Sequence, residues 1–276
     1  MSVPLAPADR AARWVLVAFC VAVLAFLLAP VLVVIPLSFN AGSFLTYPMT
    51  GVSTRWYVDF FTSARWLPSL WNSLVVGIVS TAIATALGTL AALGLDRMGG
   101  AAKQVLNALF LMPVVVPVLV IGSSLYALFA ALGLTASYAG LIVAHALLGA
   151  PFVVITVAAT LHGFDRGLLR AALSLGATPS QAFRRVTLPL ILPGVISGAL
   201  FAFATSFDEI VVTLFLAGPQ QRTLPLQMFD GVREQISPTI TAAATLLFVV
   251  SVALVGVVER LRRRSDQFRS TPGRTD

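Results

Sequence analysis

Residues 104–164 read QVLNALFLMPVVVPVLVIGSSLYALFAALGLTASYAGLIVAHALLGAPFVVITVAATLHGF and contain no Asp, Glu, Lys or Arg. One crossing of the hydrocarbon core of a bilayer takes about 20 mostly apolar residues, so this uncharged stretch is long enough for two crossings. The segment LGLTASYA at 132–139 has the composition of a turn between them. The stretch therefore predicts a membrane protein with two consecutive transmembrane helices in its middle.

The composition of the whole chain leads to the same class of protein. The chain has 276 residues, of which 58% are hydrophobic and 11% charged, with a mean hydropathy of +0.94. Soluble domains carry about 25% charged residues, so this chain cannot hide its apolar surface by folding in water. A net charge of +7 could indicate nucleic-acid binding. Because the basic residues lie mostly in short segments between apolar runs, we expect a lipid bilayer and no nucleic acid.

Six segments are long and apolar enough to be transmembrane helices. They are 14–37, 74–95, 105–131, 140–161, 190–214 and 238–258. The first segment follows two arginines, as a signal sequence does, but it exceeds the about 7 to 15 apolar residues of a signal peptide. We interpret it as an uncleaved first span. The predicted fold is all-α and polytopic, with one transmembrane domain over residues 1–276.

The distribution of Lys and Arg predicts how the chain is oriented. An even number of spans places both termini on one side, and basic loops are retained in the cytoplasm. Fourteen of the 18 Lys and Arg residues lie on the proposed inner side. The four on the proposed outer side are Arg55, Arg65, Arg222 and Arg233. Both termini are therefore expected in the cytoplasm.

The inner loop between the fourth and fifth spans reads LHGFDRGLLRAALSLGATPSQAFRRVTLPLILPG over residues 161–194. Gly176 interrupts a helical stretch, and Thr178 can cap a new helix that has a proline in its first turn. Gln181 follows Thr178 by three residues, as a capping box requires. The short helix is expected to end near Pro189. The pattern predicts two helices joined by a tight turn on the cytoplasmic side.

This loop resembles the EAA motif of type I ABC importer permeases, which runs Glu-Ala-Ala, three residues, Gly, nine residues, Ile, one residue and Leu-Pro. The spacing agrees at every step, although Arg170 stands in the place of the glutamate and a valine replaces the isoleucine. The matching residues are Ala171, Ala172, Gly176, Val186, Leu188 and Pro189. The resemblance implies that residues 162–189 form a coupling segment, with Arg184 and Arg185 exposed, that docks on a separate ATP-hydrolysing subunit.

The C-terminal third is similar to the spermidine/putrescine-type permeases, in particular to their second permease subunit. The similar stretches are SFDEIVV at 206–212, Gly-Pro at 218–219 and TLPL at 223–226. The resemblance implies polyamine import across the bacterial inner membrane. It also implies an assembly of two permeases, two ATP-binding subunits and an extracytoplasmic solute-binding protein. Importers of opines and of aminoethylphosphonate share much of this pattern, so these solutes remain alternatives.

Asp208 and Glu209 lie in the otherwise apolar fifth predicted span. A carboxylate in a membrane is costly and marks a solute path, a partner charge or a helix end. At helical spacing the two acids flank a stripe of small residues that indicates close helix packing. The stripe consists of Gly194, Gly198, Ala202 and Ser206. One hypothesis is that the acids attract a cationic solute. The alternatives are a pairing with Arg222 or Arg233 and a contact with a partner permease.

Other classes of function find little support in the sequence. The single lysine, Lys103, lacks the glycines of an ATP-binding P-loop, so energy must come from a separate subunit. An ion-coupled secondary transporter is disfavoured because neither inverted repeats nor several buried ionisable residues are evident. The chain also lacks the sequence motifs of common hydrolases, so an enzyme is not expected. His145 and His162 have no neighbouring ligand cluster, so no metal or other cofactor is expected.

Two pairs of prolines predict irregular helices. Pro113 and Pro117 lie in the third predicted span, and Pro189 and Pro193 lie at the start of the fifth. Proline removes a backbone hydrogen-bond donor and clashes with the preceding turn of a helix. We therefore expect bends or interruptions at both places.

Overall fold

The computed structural model describes residues 7–234 and 237–269, and their regular structure is helical apart from one isolated pairing of Asn40 with Val52. The α-helices of these residues are α1 (Pro7–Leu37), α2 (Arg55–Thr62), α3 (Trp66–Arg97), α4 (Gly100–Val115), α5 (Val118–Leu132), α6 (Tyr138–His162), α7 (Arg166–Ser174), α8 (Pro179–Ala182), α9 (Leu188–Phe207), α10 (Val211–Leu216), α11 (Leu224–Glu234) and α12 (Pro238–Arg269). A π-helical segment, Phe183–Thr187, joins α8 to α9. The predicted all-α class is confirmed for these residues.

Four helical stretches in the described part of the chain are long and apolar enough to cross a membrane. They are Ala12–Leu37, Trp66–Arg97, Tyr138–His162 and Pro179–Phe207. Helices α4 and α5 pass the same test only as a pair, and they are bent by 103° at the break between them. The apolar part of α12, Pro238–Ala253, is shorter. Arg274, one of the predicted inner arginines, lies outside the described residues.

The structure corrects the predicted continuous span 105–131. The helix breaks between α4 and α5, where Val116 has extended backbone angles (φ −74°, ψ 133°). Pro117 follows directly, and a proline disfavours the helical conformation of the residue before it. The Val116 N–H still reaches the Met112 carbonyl at 3.0 Å, so the break leaves this donor satisfied. The proline pair therefore produces the interruption that was expected of it.

The second proline pair has a different effect, and the helix does not end near Pro189 as predicted. It continues from α8 through the π-helical segment into α9. Pro189 has no N–H, and its ring crowds the carbonyl four residues earlier, so regular α-helical bonding fails there. The Leu188 N–H instead reaches back five residues to the Phe183 carbonyl, which is the bonding pattern of a π-helix.

The predicted span 190–214 is also not continuous. Helix α9 ends at Phe207 and α10 begins at Val211, so the three residues between them are not helical. The last backbone bond of α9 runs from the Asp208 N–H to the Ala204 carbonyl, at 3.1 Å. Hydropathy does not reveal such a break, because the flanking residues remain apolar. The interruption places the two acidic residues between helices.

The described residues fall into two compact units. The first unit contains the described residues up to Thr62 together with Gly231–Leu247, and the second contains Ser63–Asp230 together with the described residues from Phe248 onward. In the first unit, the loop after α1 is organised around the buried Asn40. Its side chain accepts a hydrogen bond from the Gly42 N–H at 3.1 Å and donates one to the Phe44 carbonyl at 3.0 Å. These bonds give the loop a defined conformation without regular secondary structure.

In the second unit, α3, α6 and α9 pack together around a buried apolar cluster. The cluster consists of Ala84, Ala92, Ala146, Val153, Val157, Leu161, Ile191 and Ala202. Small residues allow this close approach. A Cβ atom added to Gly198 would lie 2.8 Å from the Val153 Cα, and one added to Gly149 would lie 2.9 Å from the Ala202 Cβ. All four residues of the predicted small-residue stripe on α9 are buried.

Replacement of Gly198 by alanine should therefore destabilise the protein. We expect Gly198→Ala to lower its stability by about 1–3 kcal/mol, because the added methyl group overpacks the α6–α9 contact. Gly94→Ala on α3 is the matched control, since a Cβ there meets nothing within 4 Å. Alanine favours a helix over glycine by about 1 kcal/mol, so the control should be neutral or slightly stabilising. Thermal unfolding in detergent measures both, and equal melting temperatures would contradict the packing argument.

Candidate functional site

The turn between α7 and α8 is closed by backbone hydrogen bonds around Gly176. The Gly176 N–H reaches the Leu173 carbonyl at 3.0 Å, and the Ala177 N–H reaches the Ala172 carbonyl at 3.1 Å. Gly176 has a φ of +85°, which glycine adopts far more readily than other residues. This is a Schellman motif, in which the left-handed residue lies four positions after the first carbonyl that is capped. The spacing of Ala172 and Gly176 is thus the spacing that the turn requires.

Side-chain caps define the starts of both helices of this segment. The predicted capping box is present: the Gln181 N–H donates to Thr178 Oγ1 at 3.3 Å, and the Thr178 N–H donates to Gln181 Oε1 at 2.9 Å. At the start of α7, Asp165 Oδ1 accepts a hydrogen bond from the Gly167 N–H at 2.7 Å. Each cap satisfies donors that would otherwise have no partner. The segment 162–189 is therefore an ordered structure.

The predicted coupling residues occupy both the surface and the base of this segment. Those exposed are Ala171, Gly176, Arg184, Arg185 and Pro189, and those half-buried are Ala172, Val186 and Leu188. Leu188 packs against the apolar cluster shared by α3, α6 and α9. Sequence reasoning missed the exposed leucines of the segment: Leu168, Leu173 and Leu175, the last of which is 89% exposed. The segment thus presents apolar side chains together with arginines.

One helical rod connects this segment to the acidic pair. The stretch Pro179–Phe207 is helical over 29 residues. At 1.5 Å per residue its length is about 43 Å, which exceeds the about 30 Å of the hydrocarbon core. The turn at Gly176 precedes one end of the rod, and Asp208 follows the other.

The two acidic residues have different surroundings at the break. The Glu209 carboxylate is half-buried, and its Oε1 accepts a hydrogen bond from the Val212 N–H of α10 at 2.9 Å. Asp208 is exposed, and its side chain accepts no hydrogen bond from any residue in the described part of the chain. Glu209 therefore caps α10, while Asp208 leaves an exposed carboxyl group beside it.

Arg222 does not pair with these acids, which corrects one of the alternatives raised by the sequence. Its Nη1 lies 2.6 Å from Asp230 Oδ2. Arg222 is therefore paired with an aspartate eight residues further along the sequence. The alternative in which the acids lie at a helix end is partly correct, because they follow the end of α9.

Buried polar side chains surround the break, and His145 on α6 lies at their centre. Its Nδ1 is 2.8 Å from Ser206 Oγ on α9, and its Nε2 is 3.0 Å from Thr213 Oγ1 on α10. Ser80 on α3 donates to Ser206 Oγ at 3.1 Å. Sequence reasoning considered His145 only as a metal ligand and missed this role. The signal was present as isolated polar residues in apolar helices, but their pairing across four helices cannot be read from spacing.

No group of three His, Cys, Asp or Glu side chains within residues 7–234 and 237–269 is arranged to hold a metal ion. His162, the second histidine, lies at the end of α6, where its Nδ1 is 2.9 Å from the Ala158 carbonyl oxygen.

The long apolar helices are those of a multi-pass membrane protein. The family model described as "binding-protein-dependent transport system inner membrane component" matches residues 84–268. The chain belongs to this family, the inner-membrane permease subunits of ABC importers. It is a transport subunit and not an enzyme.

Individual relatives agree with this family. The spermidine/putrescine transport system permease protein PotC of Haemophilus influenzae is 32% identical over 90% of this chain and 96% of its own length. The putrescine transport system permease protein PotI of Escherichia coli is 35% identical over 84% of this chain and 85% of its own length. Two structures of a bacterial alginate ABC transporter share the fold, with TM-scores of 0.73 and 0.68 at 14% and 16% identity. They cover 94% and 93% of this chain, and this chain covers 99% and 96% of theirs.

Replacement of Gly176 by alanine should loosen the coupling segment. The left-handed conformation costs a residue with a Cβ atom about 1–2 kcal/mol, so Gly176→Ala should open the turn more often. Gly163→Ala is the matched control, because Gly163 has a φ of −88° and a Cβ there has no neighbour closer than 3.8 Å. Amide hydrogen exchange over residues 171–182 is expected to become faster in the first variant only. Equal exchange in both variants would show that the glycine conformation does not hold the turn.

Proposed function

We propose that this permease subunit carries a polyamine such as spermidine or putrescine into the cytoplasm. The observation that carries the proposal is the open carboxylate of Asp208 beside the half-buried Glu209 at a helix break. Polyamines bear several ammonium groups, which two neighbouring carboxylates attract. The names of the relatives PotC and PotI support the same class of solute. An opine or aminoethylphosphonate is the alternative cargo within the same class of importer.

We further propose that the segment 162–189 docks on an ATP-binding subunit, where ATP is hydrolysed. Its capped turn and its continuity with α9 support this role, because a rigid element transmits a push that a slack loop would absorb. Exposed Leu175 offers an apolar contact, and Arg184 and Arg185 offer charge. The half-buried Val186 and Leu188 anchor the base, Ala171, Ala172 and Gly176 shape the turn, and Pro189 lies at the start of α9.

The proposed assembly contains this chain, a second permease subunit, two ATP-binding subunits and an extracytoplasmic solute-binding protein. One of the alginate transporter structures is described as a complex with a substrate-bound periplasmic protein, which supports the last partner. Within the assembly we propose a single permease domain of six spans with both termini in the cytoplasm. The excess of Lys and Arg in the proposed inner segments supports this orientation.

Removal of either negative charge should weaken solute capture. We expect Asp208→Asn and Glu209→Gln each to raise the KM for spermidine uptake by about tenfold, the effect of losing one ion–ion contact of about 1.4 kcal/mol. The amide oxygen of the glutamine side chain in the second variant still accepts the Val212 N–H, so the helix cap is retained. Asp96→Asn, in the ion pair with Arg166, is the control and should leave the KM unchanged.

Uptake into proteoliposomes that contain the whole importer and its solute-binding protein measures these constants. Competition by unlabelled opine or aminoethylphosphonate identifies the cargo class in the same assay. Unchanged KM and rate in both variants would remove Asp208 and Glu209 from the solute path. Competition by an opine but not by spermidine would replace the proposed cargo.

Single cysteines test the proposed topology and coupling together. Cys20 is the only cysteine of the chain, so Cys20→Ser gives a cysteine-free background. We expect Leu175→Cys to react with an impermeant maleimide only from the cytoplasmic side, and Thr46→Cys only from the outside. Leu175→Cys should also cross-link to an ATP-binding subunit, because an exposed leucine at a docking surface lies within reach of its partner. Outside labelling of Leu175→Cys would overturn both proposals.

A further inference from the structure

A chain of hydrogen bonds runs through the buried polar side chains to the backbone of the break. At one end, the Thr213 hydroxyl lies 3.1 Å from the Glu209 carbonyl oxygen and 3.0 Å from His145 Nε2. On the other side of the imidazole, Nδ1 lies 2.8 Å from Ser206 Oγ. Either tautomer of the ring makes both bonds, because each hydroxyl can donate or accept.

Ser206 Oγ lies 3.1 Å from Ser80 Oγ, and the Ser80 hydroxyl is also 3.2 Å from the Gly77 carbonyl oxygen. The network therefore extends from Ser80 through Ser206 and His145 to Thr213 and the Glu209 carbonyl. Its side chains are all buried; His145 is 1% exposed and Thr213 is fully enclosed.

The hydrogen-bond chain connects α9 and α10, the helices on either side of the break. Ser206 lies in the last turn of α9 and Thr213 lies in α10, and the residues between the two helices are not helical. His145 lies on α6, which is packed against α9 by the close approach of Gly198 to Val153. The imidazole thus fixes the end of α9 and the start of α10 to a third helix. In an apolar medium such a bridge is not replaced by water when it is lost.

We propose that His145 is a positioning residue for the solute path: it holds the break between α9 and α10 in one conformation and so keeps the Asp208 and Glu209 carboxylates in place. Because it concerns the same carboxylates, this inference rests on the proposed function. Its role in transport follows from the rod that joins the coupling segment to the break. A push on α9 moves Ser206, and the imidazole passes this displacement to α10. Without the imidazole bridge, α9 moves independently of α10, and the positions of the two carboxylates relative to each other change.

Labelling of the break tests the inference without any assumption about the solute. In the Cys20→Ser background, Ile210→Cys places a thiol in the half-buried, non-helical residues between α9 and α10. In the purified importer complex we expect His145→Ala to raise its maleimide labelling rate by about fivefold or more, since local opening becomes more frequent. Thr46→Cys, on an exposed loop of the first unit, should label at the same rate with and without His145→Ala.

Two further variants separate positioning from general destabilisation. Thr213→Val keeps the shape of the side chain but removes the hydroxyl at the end of the chain, and it should reproduce the faster labelling even if His145→Ala fails to assemble. His145→Gln offers a donor and an acceptor on a flexible side chain, and it should restore slow labelling in part. The same variants should raise the KM for spermidine uptake more than they lower the maximal rate per assembled complex.

An unchanged labelling rate of Ile210→Cys in assembled His145→Ala and Thr213→Val complexes would overturn the inference, whatever the cargo. Faster labelling of Ile210→Cys together with an unchanged KM for spermidine would retain the positioning role but refute its link to the proposed path. If Asp208→Asn and Glu209→Gln alone had no effect on the KM, the proposed function would fail while the labelling result still stood. The two failures are therefore distinguishable.

Discussion

Inside a bilayer every backbone N–H and C=O group needs a partner within the protein, and the irregular parts of this structure depend on that constraint. At both of the breaks described above, hydrogen bonds to the neighbouring backbone are present. At the break after α9, the Glu209 carboxylate and the Thr213 hydroxyl take the places of missing backbone partners. At the α4–α5 bend, the Val116 N–H keeps its bond to Met112. The breaks are thus specific structures and not slack connections.

Close packing of α3, α6 and α9 holds the helices that flank the break after α9. Apolar side chains gain little by leaving lipid for another helix, so association in a membrane relies on van der Waals contact and on hydrogen bonds between helices. Glycine and alanine on α3, α6 and α9 supply the first, and the His145 chain supplies the second. These packed helices include the rod Pro179–Phe207 and α6, to which the end of the rod is bonded through Ser206 and His145. The turn at Gly176 and the acidic residues are therefore joined by one continuous helical stretch, Pro179–Phe207.

The sequence predicts the parts of this arrangement that depend on neighbouring residues. The helical class, the turn at Gly176 and the capping box of Thr178 and Gln181 follow from local chemistry, and the structure contains them. Hydropathy could not reveal that the rod extends back to Pro179 or that it ends at Phe207, because backbone bonding and not apolarity decides both. The role of His145 was equally out of reach. Its two hydrogen-bond partners come from two other helices, α9 and α10, and only the tertiary fold brings them together.

The Schellman turn of the coupling segment is built from the carbonyls of Ala172 and Leu173 and from the glycine conformation at 176. Arg170, which stands where the motif has glutamate, is exposed and contributes no bond to that turn. The shape of the segment is therefore independent of the charge that it displays at this position. At position 170 the charge of the segment can therefore change sign while the turn at Gly176 keeps its geometry.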